Sequence, residues 1–289
     1  ARSNINLLHD SIGNGMVSFN HDNYNVTCAS NYIQDGVTFR FGKILGNILR
    51  NQVTVNTDAS VNNPNDTVQI IGNKITFYSS SNTGAISWYS TSQFYSIQNN
   101  FIYVTYPSNS INYGIHGTTS KTSSTGGNVI YNNTIYKPTY TIAYGIVITT
   151  VANSFTDAQN NLIVSGGIYQ YAFYFAGGTF STHYNYATTY NWHGPTNDGT
   201  NVQATNTTMN AEGVITNVLS NTLNGGNPDA AFDDIDLTRN DVGCYGGSYT
   251  LTNFHPFTAT DWARVILVTT PRRVLINTPV SVKAIGFDK

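Results

Sequence analysis

"SIQNNFIYV" occupies residues 96–104, "NVIYNNTIYK" residues 128–137 and "TDAQNNLIVS" residues 156–165. Each time an Asn pair stands directly before an apolar pair or its near equivalent. The wider frame is Ile-x-x-Asn-x-Ile. It is met by Ile44-Asn47-Leu49, Ile70-Asn73-Ile75, Ile97-Asn100-Ile102 and Ile130-Asn133-Ile135, with Ala158-Asn161-Ile163 as a fifth copy. The steps between these asparagines are 26, 27, 33 and 28 residues. A second register follows each Asn: a small residue, then an apolar one, as in Ala85-Ile86, Gly114-Ile115, Gly145-Ile146 and Ala172-Phe173. Gly36-Val37 keeps the same beat ahead of Asn47.

A fixed period built only of short alternating segments and Ser/Thr/Asn/Gly turns marks a solenoid. Each strand then pairs in parallel with its copy in the next coil, and coils rise by about 4.8 Å. A WD-type propeller needs about 40–45 residues and four strands per blade, so the period excludes it. No interior stretch carries helix caps and a 3.6 period. Stacked copies of one residue form internal ladders. The repeated Asn is expected to end one strand, to take the left-handed bend itself, and to bond to its copy one coil away. The polar "SKTSSTGG" at 120–127, which accounts for the long step, is expected to bulge out as a loop.

The repeats resemble those of right-handed parallel β-helix proteins of the pectate-lyase-like superfamily. The stretch "NTLNGGNPDAAFDDIDLTRNDVGCYGG" at 221–247 is similar to the closing segment of many secreted bacterial β-helix proteins. It keeps Gly226, Asp229, Asp234, Asp236, Arg239, Asp241, Gly243, Tyr245, Gly246 and Gly247, and departs at Cys244, where that segment usually has Ala. The resemblance implies an all-β, right-handed parallel β-helix over residues 1–256, with repeats clearest over 36–190 and a closing segment at 221–249. Residues 257–289 resemble a linker and the first strands of an immunoglobulin-like module, or else a β extension that pairs with another sheet edge.

Composition narrows the function. Of 289 residues only 10% are charged, net charge is −2, and there are 20 Tyr and 25 Gly. Low charge gives no electrostatic reason to expect nucleic acid or an anionic membrane as partner. There is no apolar run long enough for a membrane span, and no signal peptide; one removed in maturation would have ended before Ala1. Abundant Asn, Thr and Tyr with scarce Lys and Glu fits an extracellular or cell-surface protein. Cys28 and Cys244 show no disulfide framework or metal-ligand spacing and read as small apolar fillers. Sequons at Asn25, Asn65, Asn132 and Asn206 are those expected in so Asn- and Thr-rich a chain.

Enzymes that the resemblance brings to mind need either paired carboxylates or a Lys/Arg base beside a cation held by Asp. Residues 70–190 hold one carboxylate, Asp157, three lysines (Lys74, Lys121, Lys137) and no arginine. No catalytic residue, cofactor site or metal site is assigned. A Tyr/His site using His116 or His183 is the alternative. The run Asp229, Asp233, Asp234, Asp236 and Asp241 suits turns in which Asp side chains cap backbone N–H groups and one pairs with Arg239; the other reading is a calcium site. The residues singled out are thus the Asn ladder (Asn47, Asn73, Asn100, Asn133, Asn161) and the closing segment (Asp234, Asp236, Arg239, Asp241, Tyr245). In "SQFYSIQNNFIYVTYP" and "IYQYAFYFAGG" alternate Tyr is expected outward, with Ile and Phe inward. The expected function is a non-catalytic structural β-helix, adhesive or filament-forming. Its partners would be copies of itself, head to tail, or a downstream immunoglobulin-like domain, and glycans. The alternative is a carbohydrate-active β-helix, lyase, hydrolase or glycan-binding module.

Overall fold

Each period of the sequence closes into one coil of three short strands. The structure is a computed structural model. It describes residues 3–21, 24–56, 67–79, 83–89, 93–106, 113–119, 127–138, 144–151, 153–167, 171–189, 191–194, 197–255, 263–269, 277 and 279–288, and the statements below concern those. Coil 5, for example, is Phe94–Gln98, Phe101–Val104 and Tyr113–Thr119; coil 6 is Asn128–Tyr131, Thr134–Lys137 and Tyr144–Thr150. Coil 1 begins at Ser3–Leu8 and coil 8 ends at Trp192–His193. Stacking the coils produces three all-parallel sheets of 8, 9 and 8 strands, the second gaining Val202–Gln203. This is a parallel β-helix. The loop predicted at 120–127 lies outside the described residues except for Gly127.

The sequence frame maps onto the register residue by residue. On the first sheet Ile44, Ile70, Ile97, Ile130 and Ala158 are consecutive partners. On the second, Leu49, Ile75, Ile102, Ile135 and Ile163 are. On the third the column runs Val37, Val53, Ile86, Ile115, Ile146, Phe173 and Trp192. These columns make one apolar core along the inside. The small residue before the third column sits where the chain passes close to the second: a Cβ on Gly145 would lie 2.2 Å from Ile163 Cδ1. Any larger residue there would push the sheets apart. Tyr95 departs from the expected alternation: it is buried and stacks on the core Trp88 at 4.6 Å. Phe101, by contrast, lies outside the coil and is covered by the chain beyond residue 200.

At the corner between the first and second sheets the repeated Asn side chains turn inward, fully buried. Asn47 Nδ2 donates to Asn73 Oδ1 (3.0 Å), Asn73 to Asn100 (2.9 Å), Asn100 to Asn133 (3.0 Å) and Asn133 to Asn161 (3.0 Å). Each Oδ1 also accepts the backbone N–H of the preceding Asn, as from Asn73 to Asn100 (3.1 Å). The same pattern takes in Asn31, Asn185 and Asn201. The left-handed bend is not on these residues. It falls one position earlier, at Ser30, Gly46, Gly72, Asn99, Asn132, Asn160 and Tyr184. The ladder Asn must aim its amide inward along the column, so the turn is made by its neighbour.

Beyond Val202–Gln203 the chain leaves the coils and runs back down their outside. Asn227 reaches coil 7, Asn240 and Gly243 coil 6, Cys244 and Gly246 coil 5, and Phe254 the corner of coils 3 and 4. It is a lengthwise strap. Residues 263–269 and 283–288 form two antiparallel strands paired with each other, so within this structure they extend no sheet of the β-helix.

Candidate functional site

The strap explains the Asn pairs. The first Asn of each pair is left-handed and points outward. Asn99 Nδ2 donates to the carbonyls of Cys244 (3.1 Å) and Gly246 (2.6 Å). Asn132 Nδ2 donates to Asn240 Oδ1, Asp241 O and Gly243 O at 3.0–3.2 Å. Asn160 Oδ1 accepts from Asn227 N at 2.8 Å. Where the strap carries an apolar ring instead, the bend is glycine. A Cβ on Gly72 would come within 2.2 Å of the Phe254 ring, and its φ of +68° is one that glycine adopts without strain. Ala29, Leu45 and Ile71 pack under the same ring.

The acidic residues of the closing segment serve its own turns. Asp234 accepts from the N–H groups of Gly247 and Asp241, Asp236 from Thr238, Asp241 from Asn224 and Asp229 from Ala231. Arg239 departs from the expected pairing with an Asp. Its Nε donates to Gly226 O (2.7 Å), its Nη2 to Gly225 O (3.3 Å), and it lies 5.7 Å from the Tyr184 ring centroid. Buried carbonyls at this turn need a donor more than the Asp groups, which backbone N–H groups already satisfy. Tyr245 OH donates to Glu212 O (2.8 Å). Among the described residues no group of three or more His, Cys, Asp or Glu is placed to hold a metal ion. Cys28 and Cys244 are free, and burial pushes both thiols up to about 12.

Burial raises the Asp234 carboxyl to about 6, against the pull of its two backbone donors; Asp241 and Asp236 add to the rise. The folded strap therefore holds this proton more tightly than the unfolded chain does, whose Asp titrates near 4. Its contribution is fully present below about pH 4 and is lost as pH rises through about 6. Melting followed between pH 4.5 and 7.5 should thus fall more steeply with pH for the native chain than for Asp234→Asn. Equal slopes would remove Asp234 from the balance.

The third sheet carries the aromatic residues outward. Tyr113, Tyr144 and Tyr171 are register partners whose rings stack at 5.1 and 6.1 Å. Beside them His116, Val147, Tyr174 and His193 form a second column. His193 stacks on Tyr174 and His116 on Tyr113, both at 4.4 Å. These ring faces are turned to one another, so the columns present mainly edges and hydroxyls. His116 Nδ1 lies 3.4 Å from Tyr89 OH, and burial lowers its proton affinity. His183 is on the first sheet, with Nδ1 2.7 Å from Asp198. Asp157 bonds to Tyr131 OH and Gln159; burial and then Asp157 hold that phenol well above its ordinary value. His116, on the third sheet, thus stands apart from His183 and Asp157, which lie on paired strands of the first.

A groove of about 650 Å³ opens on the second sheet, between its outer face and the strap. Arg50, Lys74, Thr76, Tyr103 and Glu212 line it, with Ile48 and Phe101 as its apolar floor. Lys74 Nζ is 2.7 Å from Glu212 Oε2, and Arg50 Nε is 3.3 Å from Tyr32 OH. No sequence signal marked it, because its residues come from four coils and from the strap. No family model, curated protein or solved structure matches the chain. Among the described residues, no helix is long and apolar enough to cross a membrane.

Proposed function

We propose that the chain is a non-catalytic, extracellular structural β-helix, a stiff rod that works by displaying its outer surface. One observation carries this: the strap ties coils 3 to 7 together lengthwise. In a plain solenoid each coil contacts only its neighbours, and unravelling proceeds from the ends. Here the Asn99, Asn132 and Asn160 contacts join residues 67–147 positions apart, so pulling coils away also requires peeling the strap. Low charge and self-stacked outer tyrosines accord with a surface-borne role. By the sequence resemblance the rod belongs to the right-handed, pectate-lyase-like β-helices of secreted bacterial proteins. Residues 257–289 are then a β extension or part of an immunoglobulin-like module, and copies associate head to tail into filaments.

The carbohydrate-active reading draws support from the His183–Asp198 pair and from His116 among tyrosines. A screen against pectate, alginate and neutral glycans, read for new unsaturated or reducing ends, separates the two. No turnover is expected. Turnover abolished by His116→Ala or His183→Ala would overturn the structural reading. For association, light scattering of the intact chain and of a version ending at Pro256 should show larger species for the intact chain alone. A compact monomer in both would remove the filament.

A further inference from the structure

The outward column on the second sheet lacks a rung. Thr76, Tyr103, Tyr136 and Val164 are consecutive register partners. Arg50 follows Leu49, the partner of Ile75, and so stands one coil before Thr76. Tyr103 and Tyr136 stack at 5.5 Å with planes 19° apart, and Phe101 lies beside Tyr103 at 6.4 Å. Towards coil 4 the column meets only the short side chain of Thr76, and no ring among the described residues stacks there. From Arg50 to Tyr103 is two coil rises, about 9.6 Å. Two ring-to-plane contacts at roughly 3.5–4 Å each take up about 7–8 Å of that span, so it has room for one flat ring. Lys74 is on the same strand and the same face as Thr76, so its ammonium lies beside the slot, bridged to the exposed Glu212 at the rim. Two cations against one carboxylate leave the groove one positive charge.

We propose that this groove binds a flat aromatic ring bearing one carboxylate. The ring lies over Thr76 between the Tyr103 face and the Arg50 guanidinium, and the carboxylate takes the place of Glu212 on Lys74. The two halves of the recognition are separate. Stacking selects flatness, because a guanidinium plane and a phenol ring both favour a π-face. The ammonium selects charge, and its hydrogen bond to a carboxylate is among the stronger kinds. This goes beyond the structural role proposed above, and the glycan-cleavage screen does not bear on it.

The experiment is a fluorescence titration of the intact chain with 2-naphthoate. Cyclohexanecarboxylate is the charged, non-planar control, 2-naphthol the planar, uncharged one, and galacturonate the acidic-sugar control. Saturable binding of naphthoate is expected, with each control weaker by about tenfold or more. Thr76→Tyr supplies the missing rung, and should abolish binding while leaving the melting temperature equal or higher. Tyr103→Leu should weaken binding roughly three- to tenfold, and Lys74→Met about tenfold or more. Glu212→Gln, which frees the ammonium, should tighten it. If Thr76→Tyr does not fold, the Tyr103, Lys74 and Glu212 variants decide. No naphthoate binding, binding unchanged in Thr76→Tyr or in Lys74→Met, or galacturonate bound as well as naphthoate would overturn the proposal.

Discussion

Replacing Asn133 by alanine should destabilise the β-helix by about 3–4 kcal/mol, because one side chain serves two coils at once. Its Oδ1 accepts from Asn100 N and Asn100 Nδ2, and its Nδ2 donates to Ile97 O, Tyr131 O and Asn161 Oδ1. Alanine leaves the Asn100 donors and the Ile97 carbonyl buried without these partners and without water. An unmade buried bond of this kind costs about 1–3 kcal/mol, more than the net gain from making one. For a chain of this size the loss corresponds to a melting temperature lower by roughly ten degrees. Asn6 lies exposed on the first strand, and Asn6→Ala should cost about 0.5 kcal/mol or less. Thermal melts of the two variants side by side give the contrast. Equal shifts would mean that the corner column does not hold the coils.

Asn132→Ala, one residue earlier, should cost about 2–4 kcal/mol by a different route. It removes the bonds that two amide N–H groups share among three strap acceptors, together worth about 1–2 kcal/mol net. It also puts alanine at a φ of +53°, where an L-residue other than Asn or Gly bears about 1–2 kcal/mol of strain. Asn132→Gly removes the same bonds without the strain, so it should recover about 1 kcal/mol of the difference. Both variants should open the 220–255 segment to protease well below the melting temperature, with the coils still intact. Asn132→Gly as stable and as resistant as the native chain would show that the strap is not held at this corner.

The coil was legible because parallel, in-register stacking places like residues over one another. The constraint therefore recurs in the sequence once per coil. Five ladder positions were found through their Ile flanks. Asn31, Asn185 and Asn201 were not, because Cys28 and Thr182 replace the first Ile and the steps there shrink to 16 and 24 residues. The division of labour within each Asn pair was not legible either. Both residues are Asn, and only the path of the strap shows that one bonds inward and the other outward. That path depends on contacts across more than a hundred residues, made by a segment with almost no regular structure, and such contacts leave no period to read. The groove is the extreme case. Its defining feature is a short side chain, Thr76, between Arg50 and Tyr103 in the coils on either side, and a small residue on a strand face signals nothing until those neighbours are known.

Amide hydrogen exchange at the ladder residues bears most directly on the central claim that one continuous asparagine column organises the rod. The N–H groups of Asn47, Asn73, Asn100 and Asn133 each donate to the Oδ1 of the next Asn at 2.9–3.2 Å, in fully buried sites. All four should exchange only through global unfolding, with one common free energy equal to that from denaturant melts. Exchange of any of them at the rate of an exposed loop amide, or four unrelated free energies, would contradict a continuous column.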